Sequence, residues 1–238
     1  MIKKFLCMSV ALITSCVIAL IFTSKASATD VAVPPSQSEL SKTPKVVELG
    51  NQKYQVGNVI VDKANKSFTL SGSVIRREAP LEFLAVTKGG FKAYESLLEL
   101  DSDAYEFNLA CILIGLDAKN VKGAEMHFDP KPIHGDEIEI SVSWNEKGKK
   151  KSISAAQLLT VEKKQINNDT WIYTGSAFSP NNVFMAAHDG TLIGFVHDPA
   201  SIIEHKIGLG IGDYGAVAAS KVTPKVGTKI EIEIKNVN

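Results

Sequence analysis

Cysteine is scarce in this chain: there are three among 238 residues. Cys7 and Cys16 fall in the first 28 residues, which leaves Cys111 alone in the remainder. A lone cysteine excludes an internal disulfide and a cluster held by four thiolates. Neither sign of charge is in excess, with 26 Lys plus Arg against 26 Asp plus Glu. Without Lys3, Lys4 and Lys25 the balance is 23 against 26, a net charge of −3. That gives no electrostatic footprint for nucleic acid or an anionic membrane. No motif for a nucleophile, a metal or a cofactor stands out. The expectation is therefore no catalytic residue, no metal ligand and no cofactor.

One long hydrophobic run is present, and it lies at the start. Residues 5–22 are apolar, follow Lys3 and Lys4, and precede Ala26-Ser27-Ala28. A basic n-region, an apolar core and a small-x-small site make a secretory signature. Residues 1–28 are thus expected to be a signal peptide, and the protein to be exported to the periplasm or beyond. Two alternatives exist. Residues 5–22 are long enough to stay as a membrane anchor. Ile13-Thr14-Ser15-Cys16 also looks like a lipoprotein box with Cys16 lipidated, but apolar residues follow where a mature lipoprotein start is polar. Membrane contact is expected only through this segment. Residues 29–46, rich in Pro, Ser and Thr, read as a flexible linker. Residues 47–238 read as one globular domain.

Most of the domain has strand character. Residues 66–75 and 81–87 are rich in β-branched and aromatic side chains. Residues 137–144 alternate, with Ile138, Ile140, Val142 and Trp144 on one face, and 145–148 turn the chain back. Residues 229–235 alternate Ile with Lys and Glu. One helix is predicted between Asp103 and Gly115, opened by a capping box of Asp103 and Glu106. From Leu109 onward it is apolar around the wheel, which predicts a buried helix with Cys111 in the core. Pro132-x-x-Gly135 through Val142 recurs 92 residues later as Pro224-x-x-Gly227 through Ile234, each preceded by Ile-Gly-Leu. The fold class expected is α+β: a β-rich single domain with one buried apolar helix and two candidate pseudo-repeated halves. The alternative is a β-sandwich with short helices.

Leu81-Glu-Phe-Leu-Ala-Val followed by Gly89-Gly90, then Tyr94-Glu-Ser-Leu-Leu98, then the helix ending Ile114-Gly-Leu116, resembles the YdjY-type domain family. Trp171-Ile-Tyr-Thr-Gly-Ser176, His188-Asp-Gly-Thr-Leu-Ile193 and Pro224-x-x-Gly-Thr228 continue the resemblance in order, from about residue 50 to the C-terminus. The resemblance implies an exported bacterial protein and implies no activity. Some relatives carry a ferredoxin-like label, which a single cysteine cannot support as chemistry. The position before Glu-Ser is often His in the family pattern and is Tyr94 here, which puts in doubt any role needing an imidazole there.

The candidate ligand-binding residues are Glu95, Ser96, Asp101, Trp171 and Ser176. Glu95 and Ser96 sit in the densest block of the resemblance with Asp101 close behind, and Trp171 and Ser176 belong to the later block. Adjacent strand residues point to opposite faces, so Glu95 and Ser96 are not a nucleophile–base pair. Other tempting groups have plainer readings. His127-x-Asp129 and His134-x-Asp136 have metal-ligand chemistry but lie in turn sequences, where Asp caps backbone amides. Gly208-x-Gly210-x-Gly212 lacks the strand-to-helix setting of a dinucleotide loop. Lys147, Lys149, Lys150 and Lys151 read as a solvated hairpin tip. Asp189-Gly190 predicts a hairpin between residues 183–187 and 192–196, holding His188 and His197 roughly 20 Å apart and away from any shared metal.

Together these features favour a non-catalytic extracytoplasmic binding or interaction module, with a small molecule or an envelope protein as partner. The alternatives are a metal-dependent or carboxylate-based hydrolase, and a redox accessory protein without an iron–sulfur cluster.

Overall fold

The computed structural model describes residues 43–78, 80–162, 164–166, 168–209 and 216–238. The expected signal peptide, most of the expected linker, and Gly210 and Gly212 of the glycine run lie outside the described residues. A meander of β1 (Val46–Gly50), β2 (Lys53–Val56) and β3 (Val59–Asp62) leads into β4 (Ser67–Val74). Then come β5 (Phe83–Thr87), a 3-10 turn (Phe91–Glu95), β6 (Ser96–Leu100), α1 (Ala104–Leu113), β7 (Asp136–Glu146) and β8 (Lys149–Ser154). The second half holds β9 (Leu159–Val161), β10 (Lys164–Gln165), β11 (Trp171–Tyr173), α2 (Met185–Asp189), β12 (Thr191–Gly194), β13 (Ile203–His205), β14 (Ala216–Ala218) and β15 (Lys229–Asn236).

Eight of these strands close a barrel in the order β4-β15-β7-β11-β13-β12-β5-β6. The ring shuts where β6 returns to β4 through the pairs Gly72–Leu100, Ser73–Glu99 and Val74–Leu98. This corrects the expected α+β fold, and the β-sandwich as well: a sandwich keeps open sheet edges, and this ring has none. The alternating strands make the tightest part of the wall. Ile232 of β15 lies between Leu70 of β4 and Val142 of β7, and Ile234 lies between Phe68 and Ile140. All six are buried. Burying side chains of this size stabilises by about 1.5–3 kcal/mol each.

The helix forms where expected, with both capping-box bonds in place. It is not an enclosed helix, however. It caps one mouth of the barrel, packing on β2, β3, β12 and α2. Phe107 meets Phe68 edge-on at 5.3 Å, and Asn108 accepts a 2.8 Å bond from the Tyr173 hydroxyl. Ile112 faces out and is 52% exposed, so the all-round apolar pattern does not mean all-round burial. Cys111 is on the inner side with no exposed surface, and burial pushes its thiol well above the ordinary range. A thiol reagent should therefore leave Cys111 unlabelled until the protein is denatured. Cys111→Ser should destabilise by about 1–3 kcal/mol in a urea titration.

The predicted hairpin at Asp189-Gly190 does not form. Residues 185–189 are helical, and Gly190 stops that helix at φ 77° before β12 begins. β12 then pairs with β5 and β13, not with residues 183–187. Asp-Gly served as a helix stop because Gly190 also passes close to Gly90; a Cβ on Gly190 would lie 2.7 Å from the Gly90 Cα.

The two repeated segments end in β7 and β15, which lie side by side and antiparallel. Ser141 pairs with Glu233, its own counterpart in the repeat. The barrel's pairing pattern is unchanged when β4, β5, β6 and β7 are exchanged with β11, β12, β13 and β15. In each set the second and third strands run parallel, β5 with β6 and β12 with β13. Parallel neighbours need a crossover connection. One crossover is residues 88–95, the other residues 195–202.

Candidate functional site

The two crossovers meet beside the mouth opposite α1. The 3-10 turn ends at Glu95, whose carbonyl accepts from Glu82 N–H at 2.9 Å just before β5. The second crossover leaves β12 by donating Phe195 and Val196 N–H to the Glu82 carbonyl at 3.1 and 3.2 Å. A third segment joins them, since Phe128 N–H donates to the His197 carbonyl at 2.9 Å. Three stretches far apart in sequence are thereby pinned to one another by backbone bonds.

Their side chains make a polar cluster. Lys92 Nζ lies 2.7 Å from Glu95 Oε1, with the two side chains only 18% and 13% exposed. The same ammonium stands 5.6 Å from the Phe83 ring centroid and 5.8 Å from that of Tyr94. His127 Nε2 meets Glu82 Oε2 at 3.0 Å, and its ring stacks on Phe128 at 4.0 Å. Burial raises the Glu82 carboxyl, the Glu95 charge raises it further, and these outweigh His127 and Lys92. Burial would lower the Lys92 ammonium, but its bond to Glu95 and the surrounding carboxylates, Asp198 among them, leave it raised. Tyr94, Met126 and Phe128 rim the cluster, 53%, 61% and 38% exposed.

Behind the cluster lies a second, enclosed group. Ile203 and His205 share the barrel's inner side, so Glu204 between them lies on the outer side. The second crossover covers it, and it is 1% exposed. Asp198 N–H donates to Glu204 Oε1 in a short bond, while Oε2 has no partner. Burial, with added repulsion from Asp198 and Asp129, pushes the Glu204 carboxyl up to about 8. His197 is fully buried, with Nδ1 2.7 Å from the Asp129 carbonyl and Nε2 2.9 Å from the His205 carbonyl.

Of the five expected ligand residues, two belong here. Glu95 is in the cluster, and Ser96 is buried beneath it, its hydroxyl donating to the Lys92 carbonyl at 2.7 Å. Asp101 lies beyond the far end of β6, about 17–20 Å away along the strand, where Lys88 approaches it at 3.7 Å. Trp171 is inside the barrel, its indole bonded to Asp169 at 2.7 Å. Ser176 holds loops together, donating to the Ala200 carbonyl at 2.8 Å. The sequence did not point to Glu82, Lys92, Asp198 or Glu204. Lys92 and Glu95 carry a readable signal, an opposite-charge pair three residues apart. Glu82 and His127 carry none, because 45 residues separate them. Asp129 does cap a turn, accepting from Lys131 and Glu125 N–H at 3.0 and 3.1 Å, and these bonds lower its carboxyl. Among the described residues no three His, Cys, Asp or Glu side chains converge as a metal shell.

Fold and cluster together define a closed β-barrel domain with a preorganised polar site where its two crossovers meet. The YdjY domain model matches residues 59–235, from the start of β3 into β15 and so across the whole barrel. The chain belongs to the YdjY domain family. No curated protein and no solved structure matches it.

Proposed function

We propose that the protein is an exported, non-catalytic binding module whose ligand site is the cluster of Glu82, Lys92, Tyr94, Glu95 and His127. One observation carries the reading. The Ser96 hydroxyl is committed to the Lys92 carbonyl and the His127 imidazole to Glu82, so serine and imidazole do not make a nucleophile–base pair. What remains is a set of paired charges beside exposed Tyr94, fixed by backbone bonds between crossovers. Preorganised polar groups next to an exposed aromatic ring suit recognition, because little ordering entropy is left to lose on binding. The partner class is a small polar molecule or an envelope protein segment.

A thermal-shift screen of metabolites on the purified protein tests this. A true ligand should lose about tenfold or more in affinity with Tyr94→Ala, a substitution at an exposed ring that leaves the fold intact. A hydrolase using two carboxylates is the second reading, favoured by the raised Glu82 beside Glu95. Turnover of an ester or glycoside that Glu82→Gln abolishes would establish it and sink the binding reading.

Export is tested separately. Protein recovered from the cell envelope should have the intact mass of residues 29–238. A mass that includes residues 1–28 would point to the anchor, and added lipid at Cys16 to the lipoprotein.

A further inference from the structure

Lys92 is the chain's own example of what its site can hold. Its ammonium lies 2.7 Å from Glu95 Oε1, 5.6 Å from the Phe83 ring centroid and 5.8 Å from that of Tyr94. A cation between a carboxylate and aromatic faces is held by charge and by the ring quadrupoles together. Lys92 does not use up the negative charge around it. Glu82, Glu95 and Asp198 all act on this one ammonium. Further in, Phe83, Gly194 and Glu204 stand side by side on the barrel's outer face, in register across β5, β12 and β13. Gly194 brings no side chain, and the Ser201 hydroxyl fills the space above it, 2.7 Å from where a Cβ would lie. Ser201 Oγ and Glu204 Oε2 are buried and have no partner among the described residues. What is unmet behind the Phe83 ring is thus hydroxyl and carboxyl oxygen, while the one ammonium is already taken.

Apolar surface adjoins this charge. The Phe128 ring stacks on His127, whose Nε2 meets Glu82, so the rim and that carboxyl form one continuous surface. Tyr94 and Met126 extend the rim and are more than half exposed. An anion would meet three carboxyls here. A neutral polar ligand could lie on the rim and leave the charge unanswered. A cationic head on an apolar stem answers both, as lysine and arginine side chains do when they lie along a surface. Resting on the reading that this cluster is a ligand site, we propose that its ligand is an organic cation. The head is an alkyl ammonium or guanidinium set between Glu82 and Glu95, and the stem lies along Tyr94, Met126 and Phe128. The cation is either a free small molecule or a lysine or arginine side chain on a partner protein. In both cases the contacts at the site are the same.

Titration calorimetry on the purified protein tests this with three cationic probes: n-butylammonium, n-butylguanidinium, and an acetylated, amidated pentapeptide with one central arginine. Succinate and glucose are the anionic and neutral comparisons, and NaCl holds the ionic strength constant. A butyl cation or the peptide should bind, while succinate and glucose should not. Tyr94→Phe keeps the ring at an exposed position and should bind like wild type. Tyr94→Lys sets a like charge at the rim and should bind the cations about tenfold or more weakly. Equal affinity for the peptide and a butyl cation identifies a free cation as the ligand. Tighter binding of the peptide identifies a side chain carried by a partner. Silence from all three cations, or an unchanged affinity for them in Tyr94→Lys, overturns the proposal. Binding of succinate or glucose that depends on Tyr94, without the cations, overturns the cationic chemistry and leaves the site standing. The binding reading itself falls only if the metabolite screen also yields nothing that depends on Tyr94.

Discussion

Glu204→Gln should raise stability by about 3–5 kcal/mol at pH 8 and leave it unchanged near pH 4. In the folded chain the Glu204 carboxyl titrates near 8, against an ordinary value of 4.5. Between those two pH values the folded state holds a proton that the unfolded state has released. Stability from this group is therefore full below about pH 4.5 and is lost as the pH climbs through 8. Three and a half pH units at about 1.4 kcal/mol each set an upper bound near 5 kcal/mol. The amide of Gln keeps an oxygen to accept the Asp198 N–H and carries no charge at any pH. Urea midpoints taken from pH 4 to pH 9 check this. Parallel pH curves for wild type and variant would show that Glu204 ionises without cost, which its burial beside Asp198 and Asp129 argues against.

Gly72→Ala should cost about 3–5 kcal/mol and open the barrel at its seam. Gly72 pairs with Leu100 where β6 closes onto β4. A Cβ there would lie 2.4 Å from the Glu99 carbonyl oxygen and 2.7 Å from Leu100 Cδ2. The carbonyl is backbone in a ladder and cannot rotate away, so the strands must separate. Gly89→Ala is the control. Its left-handed φ of 68° strains any side chain, but nothing lies within 4 Å of its Cβ, so about 1–2 kcal/mol is expected. Amide hydrogen exchange should show the seam strands β4 and β6 losing protection in Gly72→Ala. Equal losses for the two variants would mean that steric crowding at the seam is not decisive.

The long strands and the helix were legible because each carries its own pattern. β7 and β15 alternate over many residues, and α1 announces itself with Asp103 and Glu106. The barrel was not legible because closure depends on strands too short to show a period. β11 and β13 have three residues each, and β12 has four. β12 is buried at every position and so does not alternate at all. The site was half legible for a related reason. Glu95 and Ser96 sit in one sequence block, whereas Glu82, His127 and Asp198 come together only through backbone bonds between crossovers. Ile112 shows the opposite failure, a strong local signal with the wrong tertiary meaning: an apolar residue on the outer side of a capping helix reads in sequence like a buried one.

The position of the last strand has a consequence for how the chain folds. β15 lies between β4 and β7, two strands that do not touch each other within the ring. Until residues 229–236 arrive, the barrel is a curled sheet with two bare edges, β4 and β7, which end at residues 74 and 146. Closure therefore waits for β15, and pairings this distant in sequence are slow to form. A chain still emerging from the ribosome, or threading through a narrow channel, cannot lock into its final shape. Arrival of residues 229–236 and acquisition of the folded state are tied together by topology alone.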